Sequence, residues 1–336
     1  MTATPQSRQQ PIASPFTAAD TALDAVQDLD LTGRTAIVTG GHSGIGLETT
    51  RALSAAGASV IVPVRYPDKA RARLAGIDRV EVASLDLMDP LSVDAFVDGF
   101  LSSDQPLHIL INSAGIMRVP LIRDTRGYES HFATNHLGHF QLATRLWPAL
   151  RHAQGARVVA VSAWAHRMSP MHLEDPNFDH RPYDDWLGYA QSKTANILFA
   201  LELDRRGTAE GIQGFSLHPG SIITTDLSPW ATDADRRAME LIDDAGNPVI
   251  DPERGAKTPE QGASTSVWCA TSPLLDSLGG VYCENNNISP IAPPSDDQNV
   301  NTRGDWPVGV APHAIDPEVA TQLWELSTRL TNAKKA

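Results

Sequence analysis

A tyrosine and a lysine lie four positions apart in the run Tyr-Ala-Gln-Ser-Lys, which extends from Tyr189 to Lys193. On a helix, this spacing places both side chains on one face, one turn apart. An ammonium beside a phenol favours the phenolate, because a nearby opposite charge lowers the pKa of an acid. The spacing therefore predicts a proton donor and acceptor for work near neutral pH. The alternative is a surface pair, but tyrosine and lysine are both scarce here, with five of each in the chain.

A glycine-rich run lies upstream of this pair. It reads Thr-Gly-Gly-His-Ser-Gly-Ile-Gly from Thr39 to Gly46 and joins a predicted strand to a predicted helix. Glycines allow the backbone to approach a pyrophosphate, and a helix N-terminus offers free N–H donors with a favourable dipole. The spacing G-x-x-x-G-x-G in this position predicts a phosphate-binding turn. An ordinary tight turn is the alternative.

Apolar strands alternate with helices along the chain. The predicted strands are residues 35–40, 58–65, 80–87, 108–115, 157–163 and 213–220; the predicted helices are 46–57, 67–76, 91–102, 125–152 and 187–206. Near-continuous apolar strands separated by helices favour a parallel sheet. We therefore expect an α/β fold, a Rossmann-type doubly wound parallel sheet with helices on both faces.

Three regions are predicted from the same pattern. Residues 1–30 form an N-terminal arm that is polar, proline-punctuated and loose at its start, 31–290 form the Rossmann domain, and 291–336 form a C-terminal extension with a last helix at 317–330. Residues 221–259 are a long insertion after the sixth strand, where insertions usually build or cover a site. Its Pro229, Trp230 and Met239 indicate a partly apolar pocket.

Composition excludes several classes of partner. The net charge of −13 opposes nucleic acid or an anionic membrane surface. The two cysteines, Cys269 and Cys283, lack the spacing of a zinc site, so no metal is expected. No apolar run reaches 18 residues and the N-terminus lacks an apolar signal core, which predicts a cytoplasmic protein that does not bind membranes.

The order and spacing of several short motifs resemble those of the short-chain dehydrogenase/reductase family, in particular its retinol-dehydrogenase-like and related bacterial branch. The matching residues, spread between residues 31 and 284, are Thr39–Gly46, Asp86-Leu87, Asn112-Ser-Ala-Gly115, Asn135, the strand 158–161, Tyr189–Lys193 and His218-Pro-Gly220. The resemblance implies an NAD(P)-dependent oxidoreductase that interconverts a carbonyl and a secondary alcohol. It also implies a homodimer, because the helices 125–152 and 187–206 form the dimer interface in many relatives.

The resemblance assigns roles by position. Tyr189 would be the acid/base, Lys193 would lower its pKa and hold the nicotinamide ribose, and Asn135 would hold an active-site water or kink its helix. The residues implied for the cofactor, besides Tyr189 and Lys193, are Gly40, His42, Ser43, Gly44, Ile45, Gly46, Arg65, Asp86, Leu87, Asn112, Ala114, Gly115, Pro219, Ile222 and Thr224. Asp86 could instead cap the following helix.

Cofactor choice depends on the end of the second strand. Arg65 stands there and no acidic residue precedes Asp68. An acidic side chain accepts from a ribose 2′-hydroxyl, whereas an arginine accommodates a 2′-phosphate. The sequence therefore favours NADP, with His42 as a second contact. The alternative is an NAD enzyme in which Arg65 stacks on adenine.

One departure from the family pattern affects the reaction. Family members carry paired serines after the fifth strand, and the second binds the substrate oxygen. This chain reads Ser162-Ala163-Trp164-Ala165-His166, so Ala163 occupies that second position. Neighbouring side chains of a strand face opposite ways, and Ser162 is no automatic substitute.

Three interpretations of Ala163 stay open: an inactivated form of an enzyme, a variant in which Ser162, His166 or water replaces the serine, or a nucleotide-binding protein without turnover. The functions expected besides carbonyl reduction are a catalytically silent sensor or scaffold and an enone reductase on the same fold. A small hydrophobic alcohol or ketone is the expected substrate.

Overall fold

The structure is a computed structural model that describes residues 8–222, 227, 232–238, 241–293 and 308–332. These residues contain one eight-stranded sheet in the order β3-β2-β1-β4-β5-β6-β7-β8. All neighbouring strands are parallel except β8, which runs antiparallel to β7. The order reverses between β1 and β4, and helices cover both faces. The predicted doubly wound fold is confirmed, and its topological switch point lies at the end of β1.

The strands are β1 Thr35–Thr39, β2 Ser59–Val64, β3 Val80–Ser84, β4 Ile109–Asn112, β5 Ala156–Val161, β6 Ile212–His218, β7 Val281–Glu284 and β8 Asn287–Ile288. The α-helices are α1 Gly44–Ala55, α2 Pro67–Leu74, α3 Pro90–Leu101, α4 Gly138–Arg145, α5 Trp147–His152, α6 Asp185–Gly207, α7 Asp233–Ala238, α8 Pro259–Thr271 and α9 Pro317–Asn332. A π-helical segment, Phe132–Leu137, leads directly into α4.

Local chemistry sets several helix boundaries. Gly57 follows α1 with φ +102°, a left-handed conformation that glycine adopts without strain. The Asp89 carboxylate accepts from the Leu91 N–H at the start of α3, and Pro90 supplies a preset φ. The Thr258 and Gln261 side chains form a reciprocal capping box at the start of α8. The two N-terminal caps satisfy N–H groups that the helices leave without an internal partner, and the turn at Gly57 satisfies carbonyls at the end of α1.

Two stretches differ from their predictions. The predicted helix 125–152 is interrupted by the π-helical segment and breaks again at Trp147, because Pro148 cannot donate to the preceding turn. Strands β7 and β8 complete the sheet where no strands were predicted, since both are short and flank a tight turn at Asn285 and Asn286.

The arm is anchored from its first described residues. Gln9 is buried, its Nε2 donates to the Tyr282 and Ser289 carbonyls at 2.7 and 2.6 Å, and its Oε1 accepts from the Tyr282 N–H. The expected loose arm is therefore wrong from Arg8 onward. The Gln9 side chain bonds the Tyr282 backbone as a neighbouring strand would. It therefore fixes the first described residues against the β7–β8 edge.

The C-terminal helix α9 packs on the outer face of α6 and the π-helical segment. Trp324 stacks on Phe199 with ring centroids 5.9 Å apart and meets Phe140 edge-on at 4.9 Å. Leu323 is buried in a second cluster with Leu198 and Leu201 of α6, and the Ser327 hydroxyl lies 2.7 Å from His136 Nε2. The chain's own helix thus covers the surface through which a homodimer was expected.

Candidate active site

Tyr189 and Lys193 lie on the first turns of α6, which begins after the Asp184 side-chain cap. Both side chains are buried, and Lys193 Nζ lies 5.5 Å from the centroid of the Tyr189 ring. Lys193 Nζ donates to the Val161 carbonyl at 3.1 Å, at the carboxyl end of β5. The helical spacing therefore brings the phenol and the ammonium together at the edge of the sheet where parallel strands end.

The electrostatics of this pair differ from the expectation. Burial raises the pKa of the Tyr189 phenol, and no lowering by Lys193 offsets it. Burial also lowers the pKa of Lys193 to about 8. Both shifts favour the neutral form, because an enclosed site disfavours charge of either sign. The Tyr189 phenol therefore keeps its proton near neutral pH. The prediction that Lys193 lowers the Tyr189 pKa is wrong for this structure.

Asn135 lies within the π-helical segment, whose wider turn changes the direction of the helix. Its Oδ1 accepts from the Ile116 N–H at 2.9 Å, and its Nδ2 donates to the Ile116 carbonyl and to Ser192 Oγ. A Cβ added to Gly115 would lie 3.2 Å from Asn135 Oδ1 and 3.5 Å from Lys193 Nζ. Asn135, Gly115 and Lys193 are therefore direct neighbours.

The two candidate positions after β5 face different ways. Ser162 is buried, and its hydroxyl donates to the Lys193 carbonyl at 2.7 Å, across the backbone of α6. Ala163 is partly exposed and packs on the Tyr189 side of the strand with Ala165 and Ala190. The position beside the phenol thus carries a methyl group, and the neighbouring hydroxyl is used to fix α6.

His166 is also used structurally. It is fully buried, its Nδ1 donates to the Ala163 carbonyl at 2.8 Å, and its Nε2 accepts from the Ala311 N–H at 3.1 Å. Burial lowers the pKa of His166 to about 3, so its ring stays neutral. Because both ring nitrogens bind backbone groups, His166 ties the segment after β5 to the C-terminal part of the chain and does not face the phenol.

The glycine-rich turn has the close contacts that a phosphate cradle requires. Gly40 has φ +69°, and a Cβ there would lie 3.0 Å from the Ala114 Cα. A Cβ at Gly46 would collide with the Gly40 carbonyl. Helix α1 begins at Gly44, so its first N–H groups point out of the turn. Ser43 and Ile45 lie in this turn, and both backbone and dipole suit an anion.

Positive charge gathers beside this turn. Burial lowers the pKa of His42, and the Arg73 and Arg65 charges lower it further. Among the described residues, His42 Nδ1 is a buried atom without a hydrogen-bond partner. Arg65 is exposed at the end of β2 and lies over the Tyr66 ring. The charges of Arg65 and Arg73 therefore make the surroundings of this buried nitrogen positive.

Asp86 does not cap the following helix, because Asp89 does. Its Oδ1 accepts from the Met88 N–H at 2.9 Å, and the Asp86 N–H binds Ser92 Oγ. The buried Leu87 contacts α4 through Gly138, where a Cβ would clash with the Leu87 carbonyl. These contacts hold the turn that follows β3, where the resemblance places adenine.

Thr39 and His139 form a buried link that sequence reasoning missed. The Thr39 hydroxyl oxygen accepts from the Ser113 and Ala114 N–H groups and lies 2.8 Å from His139 Nε2. His139 Nδ1 donates to the Asn135 carbonyl at 3.0 Å, which assigns its tautomer. The link joins the ends of β1 and β4 to the π-helical segment. The spacing of one helical turn between Asn135 and His139 is the sequence feature that could have indicated this link.

The remaining cofactor positions lie at the same edge of the sheet. Asn112 ends β4, and its buried amide has no hydrogen-bond partner among the described residues. Pro219 follows β6, and a Cβ on Gly262 of α8 would touch both Ile222 and Ile45. Helix α8 thus holds the segment after β6 against the glycine-rich turn. Thr224, Pro229, Trp230 and Met239 lie outside the described residues.

The described residues offer neither a cluster of metal ligands nor a membrane-spanning helix. No group of three or more potential metal-ligating His, Cys, Asp or Glu side chains is found among the described residues. No described helix combines the length and the apolar character needed to cross a bilayer. Neither finding adds a component to the site.

The family model described as short chain dehydrogenase matches residues 34–235, which include the glycine-rich turn, Asn135 and the Tyr189–Lys193 pair. The chain belongs to this family of oxidoreductases. It is 47% identical over 303 residues to a probable oxidoreductase of Streptomyces lividans, an alignment that covers 88% of this chain and 97% of that protein.

Two further similarities extend over most of the chain. Human retinol dehydrogenase 12 is 35% identical over 274 residues, covering 79% of this chain and 83% of that protein. The crystal structure of an uncharacterized protein from Mycobacterium paratuberculosis has a TM-score of 0.68 and 35% identity, covering 91% of this chain and 97% of that one. The resemblance stated from the sequence motifs is confirmed.

Proposed function

We propose that this protein is an NAD(P)-dependent oxidoreductase that interconverts a carbonyl and a secondary alcohol, with Tyr189 as the general acid/base. The observation that supports it best is the buried Tyr189–Lys193 pair, with Asn135 and Gly115 beside Lys193 Nζ. The pair adjoins an edge of the sheet that carries a glycine cradle and a free helix N-terminus. A proton donor next to a dinucleotide cradle is what carbonyl reduction requires.

In the reductive direction, a bound nicotinamide dinucleotide supplies the hydride. Tyr189 donates its proton to the carbonyl oxygen, and its raised pKa keeps that proton in place until charge develops on the substrate. Lys193, whose pKa is lowered to about 8, is the group beside the phenol that can return a proton to it. Asn135 holds the backbone of Ile116 next to this pair.

The oxyanion receives less support than in enzymes with the paired serines. Ala163 contributes no donor, and the Ser162 hydroxyl is bonded to the Lys193 carbonyl. Loss of one such donor costs about 10²- to 10³-fold in rate. We therefore expect slow turnover together with ordinary cofactor binding, because the cradle does not involve position 163.

NADP is the preferred cofactor in this proposal. Arg65 and Arg73 both act on His42, whose Nδ1 is buried and unpartnered in the described structure. Three basic side chains beside the ribose position would bind a 2′-phosphate, which NAD lacks. Stacking of Arg65 on adenine in an NAD enzyme is the alternative, and comparative affinities for the two cofactors decide between them.

An apolar carbonyl compound is the substrate class that the pocket favours. Met117, Ala163 and Trp186 pack around Tyr189 with Ala165. The Arg118 guanidinium lies 5.1 Å from the Trp186 ring centroid and bonds Asp185, so that it covers the outer side of this wall. Apolar walls around one polar reacting group are typical of small-molecule sites.

Turnover with a panel of apolar ketones tests the proposal. Oxidation of NADPH with formation of a secondary alcohol supports it. A protein that binds NADPH but oxidises it with no carbonyl compound supports a silent sensor or scaffold. Reduction of the carbon–carbon double bond of an enone, with the carbonyl retained in the product, supports the enone reductase.

Assembly is expected to differ from the predicted homodimer. Helix α9 packs on α6 through Trp324 and Leu323, and its Ser327 bonds His136 of the π-helical segment. A second copy cannot use this face while α9 is in place, so this chain is expected not to dimerise through α6. Analytical ultracentrifugation of the full chain and of a chain ending at residue 316 checks this. A full-length dimer that is disrupted by charge reversal of Arg205, one of the two exposed residues of α6, would contradict it.

A further inference from the structure

The Tyr189 ring has a second neighbour that the family roles do not include. The imidazole of His131 meets it edge-on, with ring centroids 6.1 Å apart and an interplanar angle of 65°. Lys193 Nζ lies 5.5 Å from the centroid of the same phenol ring. Edge-to-face ring pairs contribute stabilisation beyond the burial of apolar area. His131 is therefore placed to influence the orientation of the phenol.

His131 is itself held by a buried carboxylate. Its Nδ1 lies 2.8 Å from Glu129 Oε1, and both side chains have 0% exposure. Because the carboxylate can only accept, Nδ1 carries the proton and Nε2 faces the Val119 N–H at 3.5 Å, a weak contact. Both ring nitrogens thus have a defined partner, and the imidazole cannot rotate without losing the bond to Glu129.

Glu129 is fixed by the backbone as well as by His131. It accepts from the His131 and Phe132 N–H groups, each at 2.9 Å. Burial acts to raise the pKa of Glu129, but these bonds and the His131 contact outweigh burial and lower it. A carboxylate with three N–H donors keeps its charge in an enclosed site. The anchor therefore stays charged where water is excluded.

A third side chain closes the cluster on the side of α6. The Tyr183 hydroxyl donates to the Val119 carbonyl at 2.8 Å and lies 3.4 Å from both Glu129 Oε1 and His131 Nδ1. Gly188 precedes Tyr189, and a Cβ there would meet His131 Nδ1 at 3.2 Å and the Tyr183 ring at 3.3 Å. The start of α6 therefore lies directly against this cluster.

We propose that Glu129 and His131 are positioning residues that hold the Tyr189 ring in its productive orientation, a task that a serine at position 163 would otherwise share. A buried carboxylate is expensive and is best explained where its hydrogen bonds specify one geometry. Because position 163 carries no hydroxyl, the contacts of the Tyr189 ring with His131 and Lys193 restrain the phenol. This inference depends on the proposed carbonyl–alcohol chemistry, and it concerns His131 and Glu129 only as groups that act through Tyr189.

The test is a double-mutant cycle on the full-length protein with NADPH and the best ketone of the panel. The four proteins are wild type, His131→Leu, Ala163→Ser and the double variant. We expect His131→Leu to lower kcat about tenfold in the wild-type background, which corresponds to the upper range for a ring contact. In the Ala163→Ser background, the same change should lower kcat less than threefold, because the hydroxyl then helps to hold the phenol.

Other variants separate positioning from simple loss of folding. Glu129→Gln keeps the shape of the side chain but removes its charge, and His131→Phe keeps the ring edge but removes the anchor. Both should lower kcat about threefold with the KM for the ketone and the Kd for NADPH within twofold. Tyr183→Phe removes a hydroxyl from the same cluster without touching the Tyr189 ring, and should change kcat less than twofold. If His131→Leu does not fold, the first two variants decide.

An equal loss of kcat on His131→Leu with Ala163 and with Ala163→Ser would overturn the proposal, as would no loss in any of the His131 and Glu129 variants. Loss of NADPH binding in parallel with kcat would assign these residues a structural role. Failure of the carbonyl–alcohol chemistry is recognised separately, since neither wild type nor Ala163→Ser, both with His131 intact, would then turn over any ketone. That result would overturn both proposals.

Discussion

The two ends of this site are built in different ways. The glycine-rich edge uses backbone groups, with Gly40 and Gly46 in contacts that exclude any side chain. The pocket around Tyr189 uses buried polar side chains from distant segments, among them Glu129, His131 and Ser162. The proposal places cofactor binding at the edge and the reacting groups in the pocket, so binding and turnover should respond to different substitutions.

The largest effect is expected from removing the phenol hydroxyl. Tyr189→Phe keeps the ring and its contact with His131 but removes the proton that the substrate would accept. The rate of ketone reduction should fall about 10²- to 10⁴-fold, while the Kd for NADPH should change less than twofold. Steady-state kinetics and a fluorescence titration measure the two quantities. Near wild-type activity would show that the proton comes from another group.

A charge reversal at the glycine-rich edge should change cofactor binding and not the rate of the chemical step. Arg65→Asp removes a partner of the 2′-phosphate, and hydrogen bonds to charged groups contribute about 1.5–3 kcal/mol, or tenfold and more in affinity. The Kd for NADPH should therefore rise at least tenfold and the preference should turn to NADH. Arg71→Asp is the matched control, since Arg71 bonds Asp68 in solvent. Tighter binding of NADH by the wild type would contradict this assignment.

More of the fold than of the candidate site could be predicted from the sequence. Apolar strands, caps and the glycine-rich turn are local patterns, so the doubly wound sheet follows from the sequence. The Gln9 anchor and the packing of α9 could not be predicted, because each depends on a partner more than 100 residues away. Strands β7 and β8 could not be predicted either, because β7 pairs with β6 across a long insertion and β8 has only two residues. The Tyr189–Lys193 pair could be located from its spacing, whereas its pKa shifts depend on burial, which spacing alone does not give.

A smaller effect is expected from pH. Burial lowers the pKa of Lys193 to about 8 from an ordinary 10.5, so the ammonium is present below pH 8 and is lost above it. The raised pKa of Tyr189 keeps the phenol protonated across this range. The kcat/KM for ketone reduction should therefore be level between about pH 6 and 7 and fall as pH rises through about 8. The residual activity of Lys193→Arg should lack this limb, because arginine does not titrate there. A wild-type profile level to pH 10 would contradict the shift.

The central claim is that the cofactor edge is intact and the pocket lacks one oxyanion donor at position 163. Comparing Ala163→Ser with Ser162→Ala, by kcat for ketone reduction and Kd for NADPH, tests it most directly. Ala163 packs beside Tyr189, whereas Ser162 is bonded to the Lys193 carbonyl. We predict that Ala163→Ser raises kcat at least tenfold with unchanged Kd, and that Ser162→Ala lowers kcat by a smaller factor. No gain from Ala163→Ser in an otherwise active enzyme, together with loss of activity in Ser162→Ala, would contradict the account.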